Sequence, residues 1–312
     1  MYKQIARNKR RAMVCVVAFF LVWVGIGAVI GAAWAALEAA PGSPNPTGND
    51  VVTGVAVAGV FALIGIAFSL RSGTRMVLAA SGARPADPSE YLQLHNIVEA
   101  LAIGDGLPKP AVYVIDDPSP NAFATGTSPK HASITVTTGL LKLMNREQLQ
   151  GVLAHELSHI KNYDVRLILI VSTLIGMAAL LASIMWRSAF FVRRGRQSGQ
   201  LMLLVFGAGA LLAVVAVIFG PMVRFALSRQ RESLADVSGV ELTRNPEGLI
   251  QALQKLQTND VPFAKFNHAT AAMCIDDPLQ HHESWYHHLF DTHPPIAQRI
   301  AVLQKIEYGQ AA

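Results

Sequence analysis

His155-Glu156-Leu157-Ser158-His159 is the stretch that decides how this 312-residue chain is to be read. On a helix, residues four apart lie one turn above each other on the same face, so His155 and His159 can present two imidazoles to one metal ion. Glu156 stands beside them, where its carboxylate can take a proton from a water on that metal. Two nitrogen ligands and one general base are the chemical content of the H-E-x-x-H pattern. Helices rich in His and Glu also produce such a pattern by accident. The reading therefore requires a third ligand and a suitable setting elsewhere in the chain.

Immediately upstream, the setting is that of a folded domain. Asn145 is placed to N-cap the motif helix, with Gln148 three residues later as its capping-box partner. Leu149, Val152, Leu153 and Leu157 give that helix a buried face. Pro88 to Ile103 reads as an amphipathic helix with an apolar stripe of Leu92, Ile97, Val98 and Leu101. Pro110 to Ile115 is a short β-rich run, and Ser133 to Thr138 alternates as a strand does. Asn121-Ala-Phe-Ala-Thr-Gly126 lies between them. A small β-sheet in a mainly α chain is expected, with one strand near the motif helix.

Further out the chain becomes apolar. Its hydrophobic share is 52% against 15% charged, which is too apolar for a wholly soluble protein of this length. Lys3, Arg7, Lys9, Arg10 and Arg11 precede an uncharged run from Ala12 to Leu37, longer than the apolar core of a signal peptide and long enough to cross a bilayer. A turn rich in Pro and Gly, charged only at Glu38 and Asp50, leads to a second uncharged run, Val51 to Leu70, followed by Arg71 and Arg75. Residues 1–75 thus form an integral-membrane anchor of two transmembrane helices, at about 12–37 and 51–70. Basic outer flanks and an acidic link place the N-terminus and everything after Arg71 in the cytoplasm. The pI near 9.3 then reflects this topology signal rather than nucleic-acid binding. Cys15 and Cys274, the only two cysteines, form no disulfide framework.

Downstream, residues 76–165 end the first part of the soluble domain, and two more apolar runs, Leu167 to Trp186 and Leu201 to Val223, form a hairpin over 166–223. Its two ends emerge on one side, which brings the polar helix starting at Arg224 alongside the motif. Residues 224–312 then supply the second half of the site. Glu232 is the acidic candidate best placed for the third ligand, and Asp236, four residues on, fits a hydrogen bond to the far nitrogen of a ligand histidine. A full hairpin would put Arg187, Arg193, Arg194 and Arg196 on the outer side, against the positive-inside trend. The pair therefore either spans the bilayer or inserts in part, and both versions return Glu232 to the side of His155.

With these residues in view, the chain resembles the HtpX family of membrane-bound zinc metalloproteases, related to the CAAX prenyl endopeptidases in a wider gluzincin-type group. His155-Glu-Leu-Ser-His159, two apolar runs and Arg231-Glu-Ser-Leu-Ala-Asp236 carry the likeness. Asn121-Ala-Phe-Ala-Thr-Gly126, Val136-Thr-Thr-Gly-Leu-Leu141 and Asp291-Thr-His-Pro-Pro295 with Arg299 extend it over nearly the whole chain. Ser233 departs from it, since that position is more often aromatic. The resemblance implies one Zn(2+) per subunit, with Glu232 as third ligand, and His293 as a positively charged donor to the developing oxyanion. It also implies that Asn121, Ala122, Phe123 and Arg299 hold substrate. The implied activity is cytoplasmic-facing cleavage of misfolded membrane proteins at the inner or plasma membrane, as a stress response.

The mechanism expected is metal-assisted peptide hydrolysis, with Glu156 taking a proton from water and returning it to the leaving amine. An extended substrate would add to a sheet edge through main-chain hydrogen bonds. The rival is a membrane scaffold or receptor with a structural or inactive zinc. Structural zinc usually fills four protein positions, often with Cys, and no cysteine neighbours this motif. Cleavage inside the bilayer is excluded, because Arg146, Glu147, Lys161, Asn162 and Asp164 surround the motif. His281, His282, His287 and His288 read as a solvated loop in preference to a second metal site.

Overall fold

The computed structural model describes residues 2–38, 47–170, 173, 183, 187, 207, 229–258 and 295–307. The chain divides into two compact units. One comprises Met1–Lys9, Ser72–Leu169 and Val223–Ala312, the other Arg10–Arg71 and Ile170–Met222. Most of the hairpin expected at 166–223 lies outside the described residues, as do His293 and His281 to His288.

Helices α1 (Tyr2–Glu38) and α2 (Thr47–Ala80) are both longer than the uncharged runs within them. Lys and Arg propagate helix well and neither basic flank contains proline, so the helices continue through the charge. Windows of 27 and 33 residues, Ala6–Ala32 and Gly48–Ala80, are apolar and exceed the length needed to cross roughly 30 Å of hydrocarbon. Within the second unit the two helices approach closely at Gly27, Gly31 and Gly54, where a Cβ would collide with facing backbone. Small residues permit that contact where no water remains to drive helices together. Leu21, Val29, Phe61, Ile64 and Phe68 are exposed, as side chains that face lipid must be.

The other unit is built on a four-stranded mixed sheet. Its strands are β1 (Arg84–Pro85), β2 (Ala111–Ile115), β3 (Ala122–Ser128) and β4 (His131–Thr137). Their order is β1-β2-β4-β3, with β2 and β4 parallel and the two outer strands antiparallel to their neighbours. Most of the Asn121–Gly126 segment, which lies in sequence between the two expected strands, belongs to β3, an edge strand that packs against the motif helix. Helix α3 (Leu92–Gly104) begins later than Pro88. There the Ser89 N–H donates to Asp87 Oδ1 at 2.8 Å, a local turn that competes with helix initiation. A short helix α4 (Thr138–Leu143) follows β4 directly.

The motif helix α5 (Arg146–Lys161) is capped as expected. Gln148 N–H donates to Asn145 Oδ1 at 2.9 Å, and Asn145 N–H donates to Gln148 Oε1 at 3.0 Å. Leu149, Val152, Leu153 and Leu157 are all buried in the core with Leu94, Val98, Ile134, Leu249 and Leu303. At about 1.5–3 kcal/mol for each fully buried side chain, that face alone contributes roughly 6–12 kcal/mol before the cost of ordering the chain. Helices α6 (Arg229–Thr243), α7 (Pro246–Gln257) and α8 (Ile296–Glu307) complete the unit. α5 packs on α6, α7, α3 and β3, so the motif helix is the centre of this unit.

Candidate active site

His155, Glu156 and His159 project from α5 into the interior, and all three are buried. α6 brings Glu232 to them. The Nε2 atoms of His155 and His159 lie 3.1 Å apart, and each lies 3.6 Å from a Glu232 carboxylate oxygen. Ligands about 2.0–2.1 Å from a tetrahedral zinc stand about 3.3–3.4 Å from one another, so the three separations bracket the value a bound zinc requires. Among the described residues, His155, His159 and Glu232 are the one group of His, Cys, Asp and Glu side chains able to converge on a metal. The close approach of α6 depends on Gly239. A Cβ there would stand 3.1 Å from the His155 backbone nitrogen, tighter than nearly all real contacts.

Both imidazoles are held from behind by carboxylates. His155 Nδ1 is 2.8 Å from Asp236 Oδ1, and His159 Nδ1 is 3.1 Å from Asp164 Oδ2. An Nδ1–H donated to a carboxylate leaves the Nε2 lone pair as the metal-binding electron pair. Two such lone pairs facing each other at 3.1 Å call for a cation between them, which is what the donor set is suited to hold. Burial, the largest influence on each histidine, works against the protonated form. The surrounding carboxylates outweigh it, so the pKa of His155 is raised and that of His159 is raised well above its ordinary value.

Asp236 stands where the four-residue spacing from Glu232 put it. Burial pushes its carboxyl up, but Arg299 and His155 more than offset this and bring it to about 2. Arg299, which the resemblance implied to hold substrate, stands in the structure beside Asp236. It is buried, its Nε donates to Asp236 Oδ2 at 3.0 Å, and its Nη2 donates to Asp236 Oδ1 at 2.7 Å. A guanidinium forked on one buried carboxylate is occupied in positioning that carboxylate. Asn121, Ala122 and Phe123 are likewise buried; the backbone of Asn121 is tied to the Thr137 hydroxyl, with N–H to Oγ1 at 2.8 Å.

Asp164 and Arg231 are buried neighbours of the His-His-Glu cluster that the sequence did not disclose as such. Asp164 stands five residues after His159, beyond the end of α5, and reaches it because Tyr163 turns the chain with a positive φ of 60°. Arg231, the residue before Glu232, is fully buried and donates from Nη1 to Asp164 Oδ1 at 3.2 Å.

Residues 88–307 match the profile of peptidase family M48. The chain belongs to that family. The M48 chain is similar to a protease HtpX homolog of Streptococcus mutans, 41% identical over 98% of this chain and 100% of that one. A protease HtpX homolog of Caldanaerobacter subterraneus is 39% identical over 98% of both. The crystal structure of S. mikatae Ste24p aligns with 97% of this chain and 67% of its own, at 16% identity and a TM-score of 0.47. This M48 chain, with two helices able to cross a bilayer and a His-His-Glu cluster fit for a metal, is a membrane metalloprotease.

Proposed function

We propose that the chain is a zinc endopeptidase in which His155, His159 and Glu232 hold one Zn(2+) and Glu156 is the general base. The observation that carries this reading is the convergence of two carboxylate-backed imidazoles and one buried carboxylate at separations suited to tetrahedral zinc. Bound there, zinc would lower the pKa of water towards neutrality and polarise the scissile carbonyl. Glu156 takes the proton from that water and hands it to the leaving amine as the peptide bond breaks. His293, as a positively charged donor, would stabilise charge developing on the carbonyl oxygen. β3 has β4 on one side and no described strand on the other, and it lies beside α5, so an extended substrate would pair with that outer edge through main-chain hydrogen bonds. Such pairing carries little sequence preference, which suits a protease that removes misfolded membrane proteins. In this reading Asn121, Ala122 and Phe123 shape the edge through their backbone.

The proposed arrangement is an anchor over residues 1–75, a protease domain in two parts, 76–165 and 224–312, and an apolar hairpin over 166–223 between them. The protease faces the cytoplasm from the cell's inner or plasma membrane. Two facts support that orientation. Lys3 to Arg11 and Arg71 to Arg75 flank the helix pair, and Met1–Lys9 and Ser72–Leu169 share one unit with the site.

The test is zinc content and casein cleavage of detergent-purified protein, wild type beside Glu232→Ala and Glu156→Gln. About one zinc in wild type and Glu156→Gln, loss in Glu232→Ala, and cleavage by wild type alone are expected. Equal metal in all three with no cleavage by any would replace this reading with a structural zinc.

A further inference from the structure

Asn8 belongs to the basic start of the chain, ahead of the first apolar run, where a membrane anchor needs only charge. It is nevertheless 1% exposed. Its Nδ2 donates to the Asn162 carbonyl at 3.0 Å and to Asp164 Oδ1 at 2.6 Å. Both partners are acceptors, so the amide must present its nitrogen to them. Asn162 is the C-cap of α5, and its carbonyl is one of those a helix end leaves without an internal partner. Beside it, Lys9 Nζ lies 4.4 Å from the centre of the Tyr163 ring, so the start of α1 grips the turn that carries Asp164 at two points.

The consequence for the metal site runs through the two oxygens of Asp164. Oδ2 faces His159 Nδ1, and Oδ1 receives Asn8 and one Arg231 nitrogen. Among the described residues, Arg231 Nε and Nη2 find no hydrogen-bond partner. A guanidinium prefers to fork over both oxygens of a carboxylate. With Asn8 removed, Asp164 is free to rotate towards that fork, which draws Oδ2 away from His159.

We infer that Asn8 is a positioning residue for the metal site: it fixes the Asp164 carboxylate in the orientation that aligns His159, making the N-terminal segment a part of the catalytic unit. This rests on the reading of His155, His159 and Glu232 as metal ligands.

The experiment is a zinc affinity measurement by chelator competition on the detergent-purified full chain, using wild type, Asn8→Ala, Asp164→Asn and the double variant. Asn8→Ala is expected to weaken zinc binding about threefold to tenfold, below the 10–100-fold typical of a group that contacts a ligand histidine directly. In the Asp164→Asn background the same change should have almost no effect, because Asn8 acts through that carboxylate. Unchanged affinity in Asn8→Ala, or an equal loss in both backgrounds, overturns the inference and leaves the ligand set standing. Wild-type protein that binds no zinc overturns both. Asn8→Leu, of similar size and without donors, carries the same expectations if Asn8→Ala does not purify folded.

Discussion

Replacing Arg299 by Met separates positioning from substrate binding, the two roles open to this residue. In the fold its guanidinium forks over Asp236, which in turn holds His155 Nδ1 at 2.8 Å. Burial raises the Asp236 carboxyl, and Arg299 and His155 more than offset it, lowering the value from 3.8 to about 2. At roughly 1.4 kcal/mol per pH unit, that difference is on the order of 2–3 kcal/mol. Removing one partner of a buried ion pair costs about 3–5 kcal/mol, because the other charge stays buried without compensation. Arg299→Met should therefore destabilise the metal-free protein by about 2–5 kcal/mol in denaturant unfolding. Zinc affinity should fall by up to about tenfold as Asp236 loses its hold on the His155 ring, less than the roughly 10–100-fold expected for a carboxylate that contacts the histidine itself. Casein cleavage at saturating zinc should show a reduced kcat with little change in KM. A several-fold rise in KM with stability and zinc affinity intact would refute this reasoning and return Arg299 to the substrate.

Gly239→Val places branched carbon against the His155 backbone, where even a Cβ is crowded; we expect about 1–3 kcal/mol of destabilisation and weaker zinc binding, and a variant as stable as wild type with unchanged zinc affinity would contradict it. Asn145→Ala removes both halves of the capping box of α5 and should cost about 1 kcal/mol, read as a lowered denaturation midpoint with the unfolding slope unchanged. The pH dependence should have opposite signs with and without metal. Raised folded pKa values for His155 and His159 mean that their protonation stabilises the metal-free protein fully below about 6.5 and less as pH rises through the folded values. Zinc instead takes the deprotonated nitrogens and gains affinity with pH. The gap in melting temperature between zinc-loaded and chelator-stripped protein should widen from pH 6 to pH 9, and a constant gap would count against the histidine assignment.

Local spacing determined a large part of this protein. The four-residue separations of His155 from His159 and of Glu232 from Asp236, the Asn145–Gln148 cap, and the uncharged runs that became α1 and α2 follow from helix period, capping and bilayer thickness. Those are short-range or solvent-scale rules, and a single chain displays them without an alignment. Strand β3 was less legible, because Asn121-Ala-Phe-Ala-Thr-Gly126 has neither clear alternation nor a run of branched residues. Its extended form comes from pairing with β4. What only the tertiary structure decided is which groups stand behind the ligands. Asp164 reaches His159 through the left-handed turn at Tyr163, Arg299 closes on Asp236 from 63 residues away, and Asn8 meets Asp164 across 156 residues of chain. No periodicity encodes such contacts. They exist because a buried charge must be matched by whatever donor the folded chain brings near it, and that donor is chosen by packing rather than by sequence distance.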